Sequence, residues 1–199
     1  MRDWIQSYTG KMVQPLALKP EQVCIKDIAH ALSNKCRYTG HSREFYSVAQ
    51  HALVGSRHID PKHALTFLLH EVSEAYLPDI ASPVKPSMFV ERRVQQGGNN
   101  IVVTKAPWKE LEKEHAEVIG RALGLPQLAT DIDAFPEVKQ MDLAMLAWEV
   151  RDLMNDPPGE WWPAGSIPPP PSDKRLFGLP PREAEYLFLV RYYELTGTR

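Results

Sequence analysis

The segment Leu69–Tyr76 constrains this chain more than any other, because it places one histidine and two glutamates inside an apolar stretch. The stretch begins with the nearly unbroken hydrophobic sequence Ala64–Leu69, and it predicts a buried helix. On such a helix His70, Glu71 and Glu74 lie three or four residues apart and border one surface. Burying unpaired carboxylates is costly, so a divalent cation is the simplest partner for them. The alternative is a solvated helix face, which the apolar neighbours disfavour.

The composition is typical of a compact intracellular enzyme. The 199 residues are 43% hydrophobic, enough for one domain over residues 1–199 with a sizeable core. Two cysteines are too few for a disulfide framework. No apolar run could span a bilayer and the first residues lack a signal-peptide core, so we expect a cytoplasmic protein without a membrane partner. With 23 Lys and Arg against 25 Asp and Glu, the charge balance disfavours a nucleic-acid polymer as partner, so a nucleotide-like ligand should be small.

Helical patterns dominate the chain. Apolar spacing predicts helices within residues 20–33, 45–53, 61–77, 107–124, 136–155 and 181–196. Asp60 followed by Pro61 is a typical helix start. A turn at Gly97–Asn100 and a candidate strand at Ile101–Thr104 interrupt the helices, and the prolines of residues 156–171 predict an extended strap. We therefore predict an all-α fold with a proline-rich strap and a closing C-terminal helix.

The spacing of the histidines excludes the usual zinc-peptidase helix. In the His-Glu-x-x-His motif a second histidine follows the first by four residues, but here Glu74 stands at that position. Further ligands must come from other segments, and His51 and Asp142 are the best candidates because each lies among apolar neighbours. With His70 and Glu71 they form a mixed nitrogen and oxygen shell. Such a shell suits one divalent transition metal, manganese, cobalt, zinc, iron or nickel, better than calcium.

Four local sequences, taken in order, resemble the HD-superfamily phosphohydrolases. They are similar to the branch that contains bacterial 5'-deoxynucleotidases and phage dATP triphosphohydrolases, and the resemblance covers about Trp4 to Leu153. The matching sequences are Cys36–His41, Tyr46–His51, His70–Glu74 and Asp79–Lys85.

The resemblance implies an HD-domain helical bundle that binds metal through His51, His70, Glu71 and Asp142. The chain departs from the superfamily at one ligand, because the usual His-Asp pair is here His70-Glu71. Glutamate still ligates metals, but its extra methylene should shift the ion or weaken its binding. A second magnesium or manganese ion arriving with the substrate is a further expectation.

Two acids take catalytic roles by resemblance. Glu74 matches a glutamate that transfers protons or orients water, and Asp79 matches an acid beside the attacked phosphate. For Asp79 the alternative is a turn acid that follows Pro78 at the end of the helix.

Five residues are candidates for substrate binding. Lys85 and Lys139 match phosphate-contacting positions of the phage enzymes, while Arg37 and Tyr38 match an arginine and an aromatic residue that flank sugar and base. His41 is a candidate phosphate or supporting group. The alternatives are surface lysines, a core tyrosine and an exposed loop histidine.

These observations lead us to expect a hydrolase that cuts deoxynucleotides between the 5'-oxygen and the α-phosphorus. A monophosphate would release phosphate and a triphosphate would release triphosphate. Two other functions stay open: a phosphodiesterase or stringent-response nucleotide hydrolase of the same superfamily, and a non-enzymatic nucleotide sensor. The expected partner is a small deoxynucleotide, and the expected assembly is a homo-oligomer.

Overall fold

The computed structural model describes residues 3–95, 101–125, 135–157, 159, 162–163 and 165–198. For residues 93–95, 101 and 102 it describes the backbone alone. The turn predicted at Gly97–Asn100 lies outside the described residues, as does part of the proline-rich strap. Within the described residues the chain is mostly helical and carries two small antiparallel sheets.

Six α-helices occur in the part of the chain that the structure describes. They are α1 (Ile25–Asn34), α2 (Val48–His58), α3 (Ala64–Leu68), α4 (Trp108–Ala122), α5 (Pro136–Leu153) and α6 (Pro181–Thr196). The strands are β1 (Ile5–Gln6), β2 (Met12–Val13), β3 (Phe89–Gln95) and β4 (Ile101–Pro107). Short 3-10 helices lie at Pro20–Gln22, Tyr38–Gly40, Pro61–His63, Val72–Ala75 and Lys85–Ser87. Five of the six predicted helices therefore appear near their expected positions.

The continuous helix predicted over residues 61–77 is wrong. Asp60 does cap a first turn by accepting a hydrogen bond from the Lys62 amide at 3.0 Å, but α3 ends at Leu68. The following amides bond carbonyls three residues back, as from Glu74 to Glu71 at 3.0 Å. This tighter winding has three residues per turn. It follows that residues three apart, rather than four apart, lie on one side of this segment.

The second sheet contains the strand that the sequence predicted, and this strand is longer than predicted. The candidate strand at Ile101–Thr104 is confirmed as part of β4, which pairs antiparallel with β3 from Phe89 opposite Pro107 to Gln95 opposite Ile101. The all-α prediction included neither β3 nor the small β1–β2 sheet. The fold is therefore mostly helical rather than purely helical.

Helix α2 lies at the centre of the packing. It contacts α1, α3, α5 and α6, and its residues contribute to two apolar clusters. One cluster joins α1, α2 and α6, and the other joins α3 and α5. A side chain in the middle of α2 is therefore surrounded by protein on nearly every side.

Among the described residues, no helix combines the length and apolar character needed to cross a bilayer.

The segment between the strap predicted over residues 156–171 and helix α6 forms neither helix nor strand, and side chains of α2 and α5 hold it in place. The Gln50 side-chain amide donates to the Phe177 carbonyl at 2.7 Å and accepts from the Leu179 amide at 2.8 Å. The indole of Trp148 donates to the Lys174 carbonyl at 2.9 Å. These bonds attach residues 174–179 to α2 and α5, and the closing helix α6 follows at its predicted position.

Candidate metal centre

Three side chains from separate segments converge on one point. His51 lies in the middle of α2, His70 in the turn after α3, and Asp142 on α5. One ligand atom from each lies within 4.8 Å of the other two. This spacing is compatible with three ligands around a single ion.

The two imidazoles are oriented through their Nδ1 atoms. His51 Nδ1 lies 2.6 Å from Glu149 Oε1, and neither side chain is exposed to solvent. His70 Nδ1 lies 2.6 Å from the carbonyl oxygen of Phe67. Each acceptor has no hydrogen to offer, so Nδ1 carries the proton in both rings. When the rings are neutral, their Nε2 lone pairs are therefore available to bind a metal ion.

The Nε2 atoms of His51 and His70 are buried and have no hydrogen-bond partner. His51 Nε2 nevertheless lies 3.1 Å from Asp142 Oδ1, and His70 Nε2 lies 3.8 Å from the same oxygen. Two lone pairs and a carboxylate oxygen that face one another repel unless a proton or a cation lies between them. The residues present therefore fit a divalent metal ion bound by His51, His70 and Asp142.

The pKa values of His51 and Asp142 reflect the same close approach of their side chains. Burial and the nearby Arg37 disfavour a charge on His51, but Glu149 and Asp142 prevail and raise its pKa to about 9. Burial alone would raise the pKa of Asp142, but the two imidazoles hold it well below its usual range. A proton thus takes the position that a metal ion would otherwise occupy, and the two compete.

Glu71, the fourth predicted ligand, lies at the border of the cluster. Its Oε1 is 3.6 Å from His70 Nε2 and 4.0 Å from Arg37 Nη1. It does not belong to the group of three converging residues. Its position is compatible with a ligand that joins the shell after a small movement, or with a partner for Arg37.

Glu149 is the functional residue that sequence analysis missed. Besides His51, it accepts a hydrogen bond from Tyr38 Oη at 2.6 Å and one from Arg37 Nε at 3.2 Å. Arg37 and Tyr38, predicted to contact substrate, therefore direct polar atoms at this buried carboxylate. A signal was present, because Glu149 lies in an apolar run two helical turns after Asp142 and so shares its face.

Glu74 and Asp79 lie near two lysines. Glu74 is buried, and its Oε1 lies 3.8 Å from Lys85 Nζ. Burial, reinforced by Glu71 and Asp79, raises the pKa of Glu74 to about 9. Lys35, which the sequence did not single out, donates to the Leu77 carbonyl. Burial lowers the pKa of Lys35, although Glu74 and Asp79 oppose the shift.

A cavity of about 760 Å³ opens beside the cluster. His70, Glu71 and Asp142 form part of its wall, and the side chain of Asp142 is 31% exposed. Three lysines also line this cavity: Lys85, Lys109 and Lys113. Lys109 and Lys113 stand four residues apart on α4, so they share one face.

Two predicted substrate-binding residues lie apart from this cavity. Lys139 is exposed on α5 and His41 is exposed after the Tyr38–Gly40 turn, and neither is among the residues that line the cavity. Of the five predicted substrate-binding residues, Lys85 alone is among the lining residues in the described part of the chain.

Comparison with known proteins gives a relationship over nearly the full length of the chain. No family model matches the sequence. The chain is 32% identical over 196 residues to the uncharacterized protein YfdR of Escherichia coli strain K12, covering 98% of this chain and 97% of that protein. It is also 31% identical over 96 residues to an uncharacterized protein of Rhodobacter capsulatus, covering 44% of this chain and 49% of the other.

Proposed function

This chain belongs to the family of the Escherichia coli protein YfdR, and we propose that it is a metal-dependent phosphohydrolase of the HD type. Its proposed substrates are deoxynucleotides, cut between the 5'-oxygen and the α-phosphorus. The observation that carries this function is the convergence of His51, His70 and Asp142, with two unpartnered Nε2 atoms, at the wall of a cavity lined by lysines. The mostly helical fold is compatible with an HD-type bundle.

His51, His70 and Asp142 would hold the metal, with Glu71 as a fourth ligand. When bound, a divalent ion supplies polarisation of a phosphoryl oxygen and activation of a water nucleophile near neutral pH. The partial exposure of Asp142 toward the cavity leaves space for substrate on that side. A mixed nitrogen and oxygen donor set favours manganese, cobalt, iron, nickel or zinc.

The remaining residues bind the anion and handle the proton. Lys85, Lys109 and Lys113 provide positive charge for phosphate oxygens along the cavity. Glu74, whose pKa is raised to about 9, holds a proton on its carboxyl group at neutral pH. Hydrolysis releases a deoxynucleoside 5'-oxygen that needs a proton, and Glu74 could donate it.

The test is a metal-reconstituted assay. The purified protein is stripped with EDTA and reloaded separately with manganese, cobalt, zinc, iron or nickel. Each form is then incubated with all deoxynucleoside mono- and triphosphates, with cyclic nucleotides and with guanosine tetraphosphate, and the products are separated by chromatography. We expect a deoxynucleoside together with phosphate or triphosphate. Release of pyrophosphate, hydrolysis of cyclic or guanosine tetraphosphate nucleotides alone, or no turnover with any metal would contradict the proposed reaction.

A further inference from the structure

We propose that Glu149 is a positioning residue that holds His51 for metal binding and couples the metal centre to the Tyr38–Gly40 turn. The inference rests on the proposed function, because it requires His51 to be a metal ligand. Glu149 has no solvent-exposed side-chain surface, and three side chains from two segments, the adjacent Arg37 and Tyr38 and the α2 residue His51, direct hydrogen-bond donors at it. A carboxylate with these partners has little freedom to move.

The contact with His51 selects one tautomer. The Glu149 carboxylate accepts the proton on His51 Nδ1 at 2.6 Å, which leaves Nε2 as the ligand atom beside Asp142. Histidine ligands commonly donate their second nitrogen to a carboxylate, which fixes the ring and strengthens it as a ligand. Asp142 and Glu149 both lie on α5, so one helix supplies a ligand and the support of another ligand.

The contact with Tyr38 reaches a turn in an unfavourable conformation. Tyr38 and Thr39 have φ angles of 57° and 53°, in the left-handed region that residues other than glycine rarely adopt. The Tyr38 hydroxyl donates to Glu149 Oε2 at 2.6 Å and thereby tethers this turn to the metal centre. Arg37, just before the turn, contacts the same oxygen at 3.2 Å. Ordering of the turn and occupancy of the metal centre should therefore favour each other, because such coupling is reciprocal.

The experiment measures metal affinity directly, without relying on turnover. EDTA-treated full-length protein is titrated with Co²⁺ in competition with a chelator, and the visible absorption of bound Co²⁺ reports its coordination. We expect Glu149→Gln to weaken Co²⁺ binding by about 10–100-fold and to alter the spectrum. Tyr38→Phe, which removes one hydroxyl, should weaken binding by a smaller factor in the same direction.

Asp27→Asn is the matched control. Asp27 is also a buried carboxylate, 2% exposed, and it accepts two hydrogen bonds from Thr9 at 2.6 and 2.9 Å, but it is not among the residues of the metal cluster. Its substitution should lower the melting temperature and leave Co²⁺ affinity unchanged. If Glu149→Gln loses stability but binds Co²⁺ as the wild type does, the positioning role is overturned.

Amide hydrogen exchange supplies a second readout on the coupling. In the wild type, Co²⁺ should slow exchange at residues 38–41, where the Gly40 and His41 amides donate to Arg37 and Tyr38 carbonyls. Tyr38→Phe should reduce this effect, and it also tests the inference if Glu149→Gln does not fold. Equal protection in both proteins would overturn the coupling. A wild type that binds no divalent ion would instead refute the proposed metal site, a result distinct from a failure of the Glu149 variants alone.

Discussion

The carboxylates near the metal cluster differ in what they face. Asp142 is partly exposed to the cavity, Glu71 lies between His70 and Arg37, Glu74 is buried beside Lys85, and Glu149 is enclosed by its donors. Side chains of the same chemical type therefore have different partners. Their substitutions should differ in effect on metal affinity, turnover and pH dependence.

Asp142 and Glu71 should differ as ligands. The Asp142→Asn protein should not bind a stoichiometric amount of metal, because Asp142 Oδ1 lies close to the Nε2 atoms of both histidines. Glu71→Ala should weaken metal binding by at least about 10-fold, the lower end of the range for a residue that merely supports a ligand, because it removes the proposed fourth ligand and leaves three. Glu71→Asp, which restores the length usual in the superfamily, should preserve or improve metal binding and activity. Metal content by mass spectrometry and chelator competition measure both effects.

The control for these variants is Glu137→Ala, an exposed carboxylate on the same helix as Asp142. It should bind metal as the wild type does. A Glu71→Ala protein with wild-type metal affinity and turnover would remove Glu71 from the site.

Glu74→Gln should retain metal and lose about 10²–10⁴-fold in turnover, the usual range for loss of a general acid or base. A general acid acts in its protonated form, so wild-type turnover should fall as the pH rises through the raised pKa of about 9. The variant should lose this alkaline limb. Glu112→Gln is the matched control, since Glu112 also contacts Lys85, at 2.9 Å. An unchanged pH profile in Glu74→Gln would exclude the acid role.

At the level of elements, helix α2 holds His51 and also supports two neighbouring segments. Gly55 on α2 lies against the ring of Phe67, whose carbonyl accepts the hydrogen bond from His70. Gln50 binds the segment before α6. A change at Gly55 should therefore affect the site through packing, whereas a change at Gln50 should affect the segment before α6.

Gly55→Ala should destabilise the protein and weaken metal binding together. A Cβ at this position would overlap the Phe67 ring, and overpacking of this kind costs about 1–3 kcal/mol. Displacement of Phe67 also moves the carbonyl that orients His70. The double variant Gly55→Ala/Phe67→Leu should recover part of the loss, as measured by thermal unfolding and Co²⁺ titration. Wild-type stability in the single variant would show that the close packing is not required.

Gln50→Ala should release the segment of residues 174–179 without changing a proposed metal ligand. The substitution removes the side-chain partners of the Phe177 carbonyl and the Leu179 amide, at a cost of about 1–3 kcal/mol. We expect a lower melting temperature and faster proteolysis within residues 174–179, with metal affinity retained. Gln140→Ala, on the exposed surface of α5, is the control. Proteolysis at the wild-type rate would show that Gln50 does not hold this segment.

At the scale of the whole molecule, the cavity combines segments distant in sequence. Its wall includes residues of the turn after α3, the 3-10 helix at Lys85–Ser87, α4 and α5. Negative and positive groups are both present: Glu71 and Asp142 lie near the histidines, and Glu110 and Glu112 line the wall together with three lysines, of which Lys85 pairs with Glu112 at 2.9 Å. With a divalent ion at Glu71 and Asp142, the three lysines would outnumber the two remaining carboxylates, so the proposed metal-loaded site would accept a substrate with one anionic group at the metal and further anionic charge beyond it.

The lysines should discriminate between substrates. Lys85→Met, Lys109→Met and Lys113→Met should each raise KM for deoxynucleoside triphosphates more than for monophosphates, because extra phosphates extend along the cavity. Lys139→Met should have little effect, because Lys139 is not among the lining residues. Steady-state kinetics on both substrates and melting temperatures provide the measurements. Equal losses on both substrates would place the lysines at the α-phosphate, and a dominant effect of Lys139 would contradict this cavity as the substrate site.

Local sequence patterns were enough to predict the mostly helical character of the chain and the residues of the candidate metal centre. Apolar periodicity is a local property, so α1, α2, α4, α5 and α6 could be located from it. The cost of burying charge in apolar surroundings also pointed to His51, His70 and Asp142 before their proximity was known.

Tertiary structure decided which of these groups meet. The helix after Asp60 breaks at Leu68, and the His70 side chain bonds the Phe67 carbonyl that a continuous α-helix would offer to the amide of residue 71. Glu149 contacts His51 and Tyr38 only because α5 packs against α2 and the Tyr38–Gly40 turn. Local periodicity reports which face of a helix is apolar, but not which partner that face will contact. The convergence of His51, His70 and Asp142 and the different partners of the nearby carboxylates therefore arise from packing between distant segments.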